Sequence, residues 1–206
     1  MVKFSTITTR GGDEGKSSLL GGERRFKSDE VFSLLGDIDE LTSVLGLFRA
    51  QLMLDANNLS TQSSNPDQLY INHLEDYARR IRIIQDLLQK IGGLLALPIH
   101  KAEELGKEYL GEGFTQEFWK KKVEELESWE EEDIKDFELK GFIIPGATLV
   151  GAFGDVSRSV TRRLERGLVA YVQRLGLDYL KVPQTYINRL SDYLFVICRW
   201  IEKDSL

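Results

Sequence analysis

Apolar residues recur every three or four positions along four stretches of this chain, and almost nowhere does hydrophobicity alternate with the period of two that a half-buried strand requires. Val31, Leu35, Ile38, Leu41, Leu45, Phe48 and Leu52 make the first stripe; Leu69, Leu74, Tyr77, Ile81, Ile84, Leu88 and Ile91 make the second. The third runs Val150, Phe153, Val160, Leu164, Leu168, Tyr171 and Leu175, and the fourth Tyr186, Ile187, Leu190, Tyr193, Leu194, Ile197 and Ile201. Each stripe has to be buried against another, so the pattern predicts an all-α bundle of about five helices. With 206 residues, 42% of them hydrophobic, the chain can fill one core, and a single domain over 1–206 is expected.

Local signals set the boundaries. Ser28 reads as an N-cap, with Asp29 and Glu30 in the first turn of the first helix, and the polar stretch 54–67 reads as a connection to a second helix over 68–95. Between 98 and 138, acidic and lysine side chains surround Phe114, Phe118, Trp119 and Trp129, predicting an expanded connection with a shorter, more exposed helix whose tryptophans pack. Pro145 is expected near the first turn of the third-stripe helix, and the last helix near Pro183. Residues 1–27 form a glycine-rich N-terminal head; the five glycines between 8 and 22 predict a loop without regular structure.

The net charge of −6 argues against a general nucleic-acid binder. A lone Cys198 inside an apolar pattern predicts a buried thiol in a reducing compartment, and His73 and His100 lack metal-ligand spacing, so no protein-held metal is expected. The opening residues Met1 to Ser5 resemble no leader, and no run approaches the ~20 apolar residues of a membrane span, so a cytoplasmic protein without a membrane partner is expected.

Positive charge is concentrated where the third stripe is built. Arg158, Arg162 and Glu165 share a helix face, with Arg166 one turn beyond Arg162, and guanidinium forks match phosphate oxygens. This suggests an anionic, polyphosphate ligand; the alternative is a solvated face in which Arg162 pairs with Glu165. In the head, Gly15-Lys16-Ser17 matches the end of the phosphate loop GxxxxGK[ST], but the first glycine of that motif falls on Arg10. A different phosphate-wrapping loop and a plain tail both remain open.

Six ordered blocks resemble the PduO-type ATP:cob(I)alamin adenosyltransferases: Thr9-Arg-Gly-Gly-Asp13-Glu-Gly15-Lys-Ser17-Ser18, Gly22-Glu-Arg-Arg-Phe-Lys27, Ile38-Asp39-Glu40-Leu41, Phe142-Ile-Ile-Pro145-Gly146, Arg158-x-x-x-Arg162-Arg163-x-Glu165-Arg166, and Tyr186-Ile-Asn188-Arg-Leu-Ser-Asp192. The resemblance implies a five-helix bundle that assembles as a homotrimer, with ATP and Mg²⁺ between subunits and cobalamin as the second substrate. By motif position, Thr9, Arg10, Gly11, Gly12, Asp13, Gly15, Ser17, Ser18 and Lys27 would hold ATP from the head, and Arg162, Arg163, Glu165, Arg166 and Asn188 would complete the site. It further implies that Asp39 pairs with Arg158 across the interface and that Phe142 walls off the lower corrin face. A flavin-dependent reductase and an adenosylcobalamin-dependent mutase are the partners it suggests. The chain departs from the family pattern at Gly11, Ala147 and Asp155. A phosphotransferase built on the near phosphate loop, and an adaptor whose arginines grip an acidic partner, are the rival classes.

Overall fold

The computed structural model describes residues 10–62, 65–135 and 141–203. Among the described residues, five long helices and one short one carry the fold: α1 (Glu30–Gln62), α2 (Gln68–Leu95), the short α3 (Ala102–Leu110), α4 (Gln116–Ile134), α5 (Leu149–Leu175) and α6 (Lys181–Glu202). Helix α1 packs on α2 and α5, and α6 lies between α5 and α4. The four stripes converge on one core, in which Leu41, Leu45, Phe48, Ile81, Ile84, Leu164, Leu168, Ile187 and Leu194 are buried. Leu69 departs from its stripe and is exposed at the start of α2.

Several boundaries differ from the sequence expectation, each for a local reason. The cap of α1 is Asp29, whose carboxylate accepts the Val31 N–H at 3.1 Å; Ser28 lies one residue too early. Helix α1 continues through the polar stretch to Gln62, because Leu52 and Ala56 keep facing the core and the Ser60 and Thr61 hydroxyls bond back to the Asn57 carbonyl. The onset of α5 is Thr148, whose hydroxyl accepts the Gly151 N–H at 3.0 Å, so Pro145 precedes the helix instead of opening it. Helix α6 begins at Lys181, two residues before Pro183.

The head also contains regular structure after all. Lys16–Ser18 (β1) pairs antiparallel with Arg24–Phe26 (β2), in the register Ser17 opposite Arg25. Glycines enable this hairpin: Gly21 and Gly22 take positive φ where the chain turns back. Backbone bonding from Leu20 to the Ala96 carbonyl (2.9 Å) pins the hairpin to the end of α2.

Helix α4 of the expanded connection packs into the core. Trp119 and Leu126 of α4 are fully buried, and the Trp119 indole N–H donates to the Gly113 carbonyl at 2.8 Å. Arg80 of α2 reaches the same helix through Asp133 (3.2 Å) and Glu132 (3.1 Å), and it also donates to the Tyr193 hydroxyl of α6 at 3.1 Å. Burial in that network raises the Asp133 carboxyl to about 6, with Arg80 opposing the shift.

Candidate functional site

Helix α5 is amphipathic with a gap in its polarity: its arginines leave the helix in two directions. Residues 158 and 162 are one turn apart, and both side chains line a cleft of about 290 Å³ between α5, α6 and α4, shared with Asp192, Phe195, Glu130 and Ile134. Arg158 lies 3.7 Å from Asp155 and stacks over the Phe195 ring at 5.9 Å. Glu165, one turn past Arg162, is bonded to α6, accepting from the Asn188 side-chain amide at 2.8 Å. That bond draws Glu165 toward α6. The floor of the cleft is acidic, and burial, with Asp192 nearby, raises the Glu130 carboxyl.

Arg163 and Arg166 belong elsewhere. Consecutive residues on a helix diverge by about 100°, so Arg163 leans toward α1, bonding Asp37 at 3.0 Å and also Glu40. Arg166 turns back to the Arg162 carbonyl, and Arg163 and Arg166 line a second cleft of about 510 Å³ that opens beside Pro145 and Gly146. The expected convergence of all the arginines is therefore divided between two faces of α5.

The second face carries exposed apolar residues. Residues seven apart share a helix face, and below the Arg163–Glu40 pair the series Arg163, Val156, Leu149 on α5 faces the series Glu40, Leu47, Leu54 on antiparallel α1. Val156, Leu149, Leu47 and Leu54 are all exposed. Asp39, beside Glu40, is exposed as well. Phe142 and Ile144 continue the apolar surface ahead of α5; Phe142 has a relative exposure of 110%, touching nothing that would shield it.

In the head, Arg10 at φ 55° and Gly15 at φ 76° bracket two successive turns, Asp13 N–H to Arg10 carbonyl and Gly15 N–H to Gly12 carbonyl. Lys27 folds over this loop: a β-carbon on residue 12 would stand 2.8 Å from its Nζ, so a side chain there would push the ammonium aside. Arg24 donates to the Gly11 carbonyl, tying loop and hairpin together. Ser17 and Ser18 lie on β1, which excludes a true phosphate loop, since that motif passes its GK[ST] directly into a helix. Thr9, with residues 1–9, lies outside the described residues.

The head sits against the far end of α5, where Arg25 is close enough to Tyr171 to lower the rise that burial imposes on that phenol. Nine residues separate Tyr171 from Arg162, about 13.5 Å of rise and two and a half turns, so the two project from opposite sides of α5. Within one chain the head loop and the Arg158–Arg162 cleft are thus apart.

One buried network escaped sequence reasoning. Arg199 of α6 bonds Asp155 at 2.6 Å and Glu202 at 2.9 Å, and Glu202 accepts the Thr148 N–H at 3.1 Å. It anchors the start of α5, immediately after the Phe142 segment. The available signal was charge inside an apolar stripe: Arg199 and Glu202 sit among Ile197, Cys198, Trp200 and Ile201. Cys198 itself is buried, as expected, and burial pushes its thiol far up. His73 is not a plain surface histidine but lies against the Trp200 ring, 4.4 Å between centroids. Among the described residues, no group of three or more His, Cys, Asp or Glu side chains is arranged to hold a metal, and no helix is long and apolar enough to cross a membrane.

The family model for cobalamin adenosyltransferase matches residues 7–201. The corrinoid adenosyltransferase MMAB of Mus musculus is 33% identical over 200 residues, covering 97% of this chain and 73% of that protein. The corrinoid adenosyltransferase of Bacillus subtilis is 32% identical over 204 residues, 97% of this chain and 88% of its own length. Among solved structures, a variant PduO-type ATP:corrinoid adenosyltransferase from Lactobacillus reuteri complexed with cobalamin and ATP superposes with a TM-score of 0.73 at 27% identity, covering 96% of this chain and 91% of the other.

Proposed function

Because the chain belongs to the cobalamin adenosyltransferase family, we propose an assignment of its residues to the steps of that reaction. It is an ATP:corrinoid adenosyltransferase: the 5′-deoxyadenosyl group of ATP passes to the cobalt of cob(I)alamin, giving adenosylcobalamin and triphosphate. The lone pair of Co(I) attacks C5′, the C5′–O bond breaks with its electrons going to the triphosphate oxygen, and the metal ends formally as Co(III). No proton is removed from the nucleophile, so the site needs no general base.

What the protein must supply is positive charge at the leaving oxygen and an in-line approach. The observation that carries the assignment is the shared cleft of Arg158 and Arg162 with the Glu165–Asn188 bond at its edge. Arg162 takes phosphate oxygens, Glu165 and Asn188 orient the nucleoside, and Arg163 and Arg166 act from the adjoining face. Gly11, Gly12, Gly15, Ser17, Ser18 and Lys27, with Arg10, Asp13 and Thr9, form the other wall. Mg²⁺ comes with the triphosphate, in keeping with sites built on substrate phosphates and one or two carboxylates; Glu130 and Asp192 line the cleft and would serve. The full exposure of Phe142 supports its role beneath the corrin ring, where an apolar group excludes an axial ligand and eases reduction to Co(I).

A homotrimer accounts for two features of the single chain. Its head and its Arg158–Arg162 cleft face apart, so one subunit's head completes another's site, and the exposed Val156, Leu149, Leu47 and Leu54 gain cover. Asp39 then meets Arg158 of a neighbour. A cytoplasmic setting, a flavin-dependent reductase as electron source and an adenosylcobalamin-dependent mutase as recipient complete the reading.

The test is an anaerobic assay with ATP, Mg²⁺ and chemically reduced cobalamin, followed by visible spectroscopy. Arg162→Ala should lower kcat/KM by about 100-fold or more, the scale of losing a preorganised donor to developing charge, with an unchanged melting temperature because Arg162 is exposed. Absence of turnover by folded protein refutes the assignment and favours the adaptor.

A further inference from the structure

We propose that α4 belongs to the nucleotide site, with Glu127 and Arg189 as positioning residues for Asn188 and Glu165; the inference rests on the adenosyltransferase reading above. Three hydrogen bonds in series connect α4, α6 and α5. The Arg189 guanidinium donates through Nε to Glu127 at 2.6 Å, and through a terminal nitrogen to the Asn188 side-chain oxygen at 2.8 Å. The Asn188 side-chain nitrogen then donates to Glu165 at 2.8 Å.

An asparagine amide has two faces that differ by a half-turn, an acceptor and a double donor. Here a cation stands on one side and a carboxylate on the other. Turning the amide over would set its NH₂ against the guanidinium and its oxygen against Glu165, replacing two bonds by two repulsions. Arg189 therefore fixes which way Asn188 points, and it leaves one amide hydrogen and one Glu165 oxygen side by side for a ligand. Glu127 fixes Arg189, a long side chain that otherwise samples many rotamers.

The support for Glu127 is rigid. Its helix is clamped through Arg80 to Asp133 and Glu132, and Trp129 packs on the Tyr193 ring at 5.8 Å. One and two turns on, Glu130 and Ile134 of the same helix line the Arg158–Arg162 cleft, so α4 reaches the site at two points. The Glu127 and Arg189 side chains are 42% and 39% exposed, so their ion pair adds little to stability. Loss of the pair should disturb the ligand and leave the fold alone, which separates positioning from support.

Titration calorimetry of the full chain with ATP and Mg²⁺ tests this. Glu127→Ala is expected to weaken ATP binding about fivefold, near 1 kcal/mol, with the melting temperature and the KM for cobalamin unchanged. Glu127→Gln, which keeps an acceptor, should restore most of the affinity. Exchanging the charges, Glu127→Arg with Arg189→Glu, rebuilds the ion pair but draws the Asn188 NH₂ toward residue 189 and turns its oxygen onto Glu165, so affinity should stay low. Unchanged ATP affinity in Glu127→Ala, or full recovery in the exchanged pair, overturns the inference. If the unmodified chain binds ATP with this dependence on Glu127 yet fails to adenosylate cob(I)alamin, the reaction assignment falls and the positioning role stands.

Discussion

Replacing Arg199 by methionine removes the guanidinium that stands between two buried carboxylates, Asp155 at 2.6 Å and Glu202 at 2.9 Å, all three residues being almost inaccessible to water. Methionine fills much of the volume, so the main cost is electrostatic. Stranding a buried charge by deleting its partner costs about 3–5 kcal/mol. Unfolding entropy of about 2.1 cal/mol/K per residue over 206 residues converts ~4 kcal/mol into a fall in melting temperature of about 9 °C. Thermal melts followed by circular dichroism at fixed protein concentration and pH 7.5 measure it. Adding Asp155→Leu should recover part of the loss, since one of the two buried carboxylates then disappears, Arg158 at 3.7 Å being the partner it leaves behind. A single variant melting within about 2 °C of the unmodified chain would refute this reasoning.

Two further predictions follow from the packing. The Asp133 carboxyl titrates at about 6, above its ordinary value, so the folded chain binds the proton more tightly than the unfolded one. Its contribution is therefore most favourable below about pH 4 and declines as pH rises to about 6; Asp133→Asn should flatten the slope of stability against pH in that window, and an unaltered slope would assign the titration elsewhere. Gly154→Ala puts a methyl into the Cys198 sulfur and close to the Phe48 ring, so it should destabilise by about 1–3 kcal/mol. Combining it with Cys198→Ala should relieve most of that loss in a urea melt, and strict additivity of the two changes would count against the close approach.

How much of this was legible in the chain varied with the range of the interactions involved. The bounds of α2 were read correctly because local signals agreed: Asp67 caps the helix by accepting the Tyr70 N–H at 3.0 Å, and the apolar stripe ends where Pro98 stops the chain. The polar end of α1 was read as loop because Asn, Ser and Thr have weak helix propensity, yet Leu52 and Ala56 face the core and their packing outweighed it. The hairpin in the head was missed because three-residue strands carry almost no periodic signal. In α4, Trp119 packs as its aromatic character implied, but the number of acids suggested more exposure than the helix has.

At the candidate site the same division holds. The chemistry was visible early: four arginines and a glutamate within nine residues, and five glycines in the head followed by Lys27. The divergence of Arg163 from Arg162 was also contained in the sequence, because adjacent residues cannot share a helix face. Its partners were not, since Asp37 and Glu40 are more than 120 positions away.

The sequence by itself determined that this chain is helical, which side of each helix is buried, that its positive charge collects on one helix, and that its head is rich in glycine. Those properties depend on periodicity and residue chemistry, which act over one or two turns. Only the tertiary structure decided that Asn188 meets Glu165, that Arg199 stands between Asp155 and Glu202, and that α4 backs onto the Arg158–Arg162 cleft. Each of those contacts joins side chains from different helices, and its existence depends on the crossing and axial alignment of packed helices, which the whole core sets and no local pattern encodes.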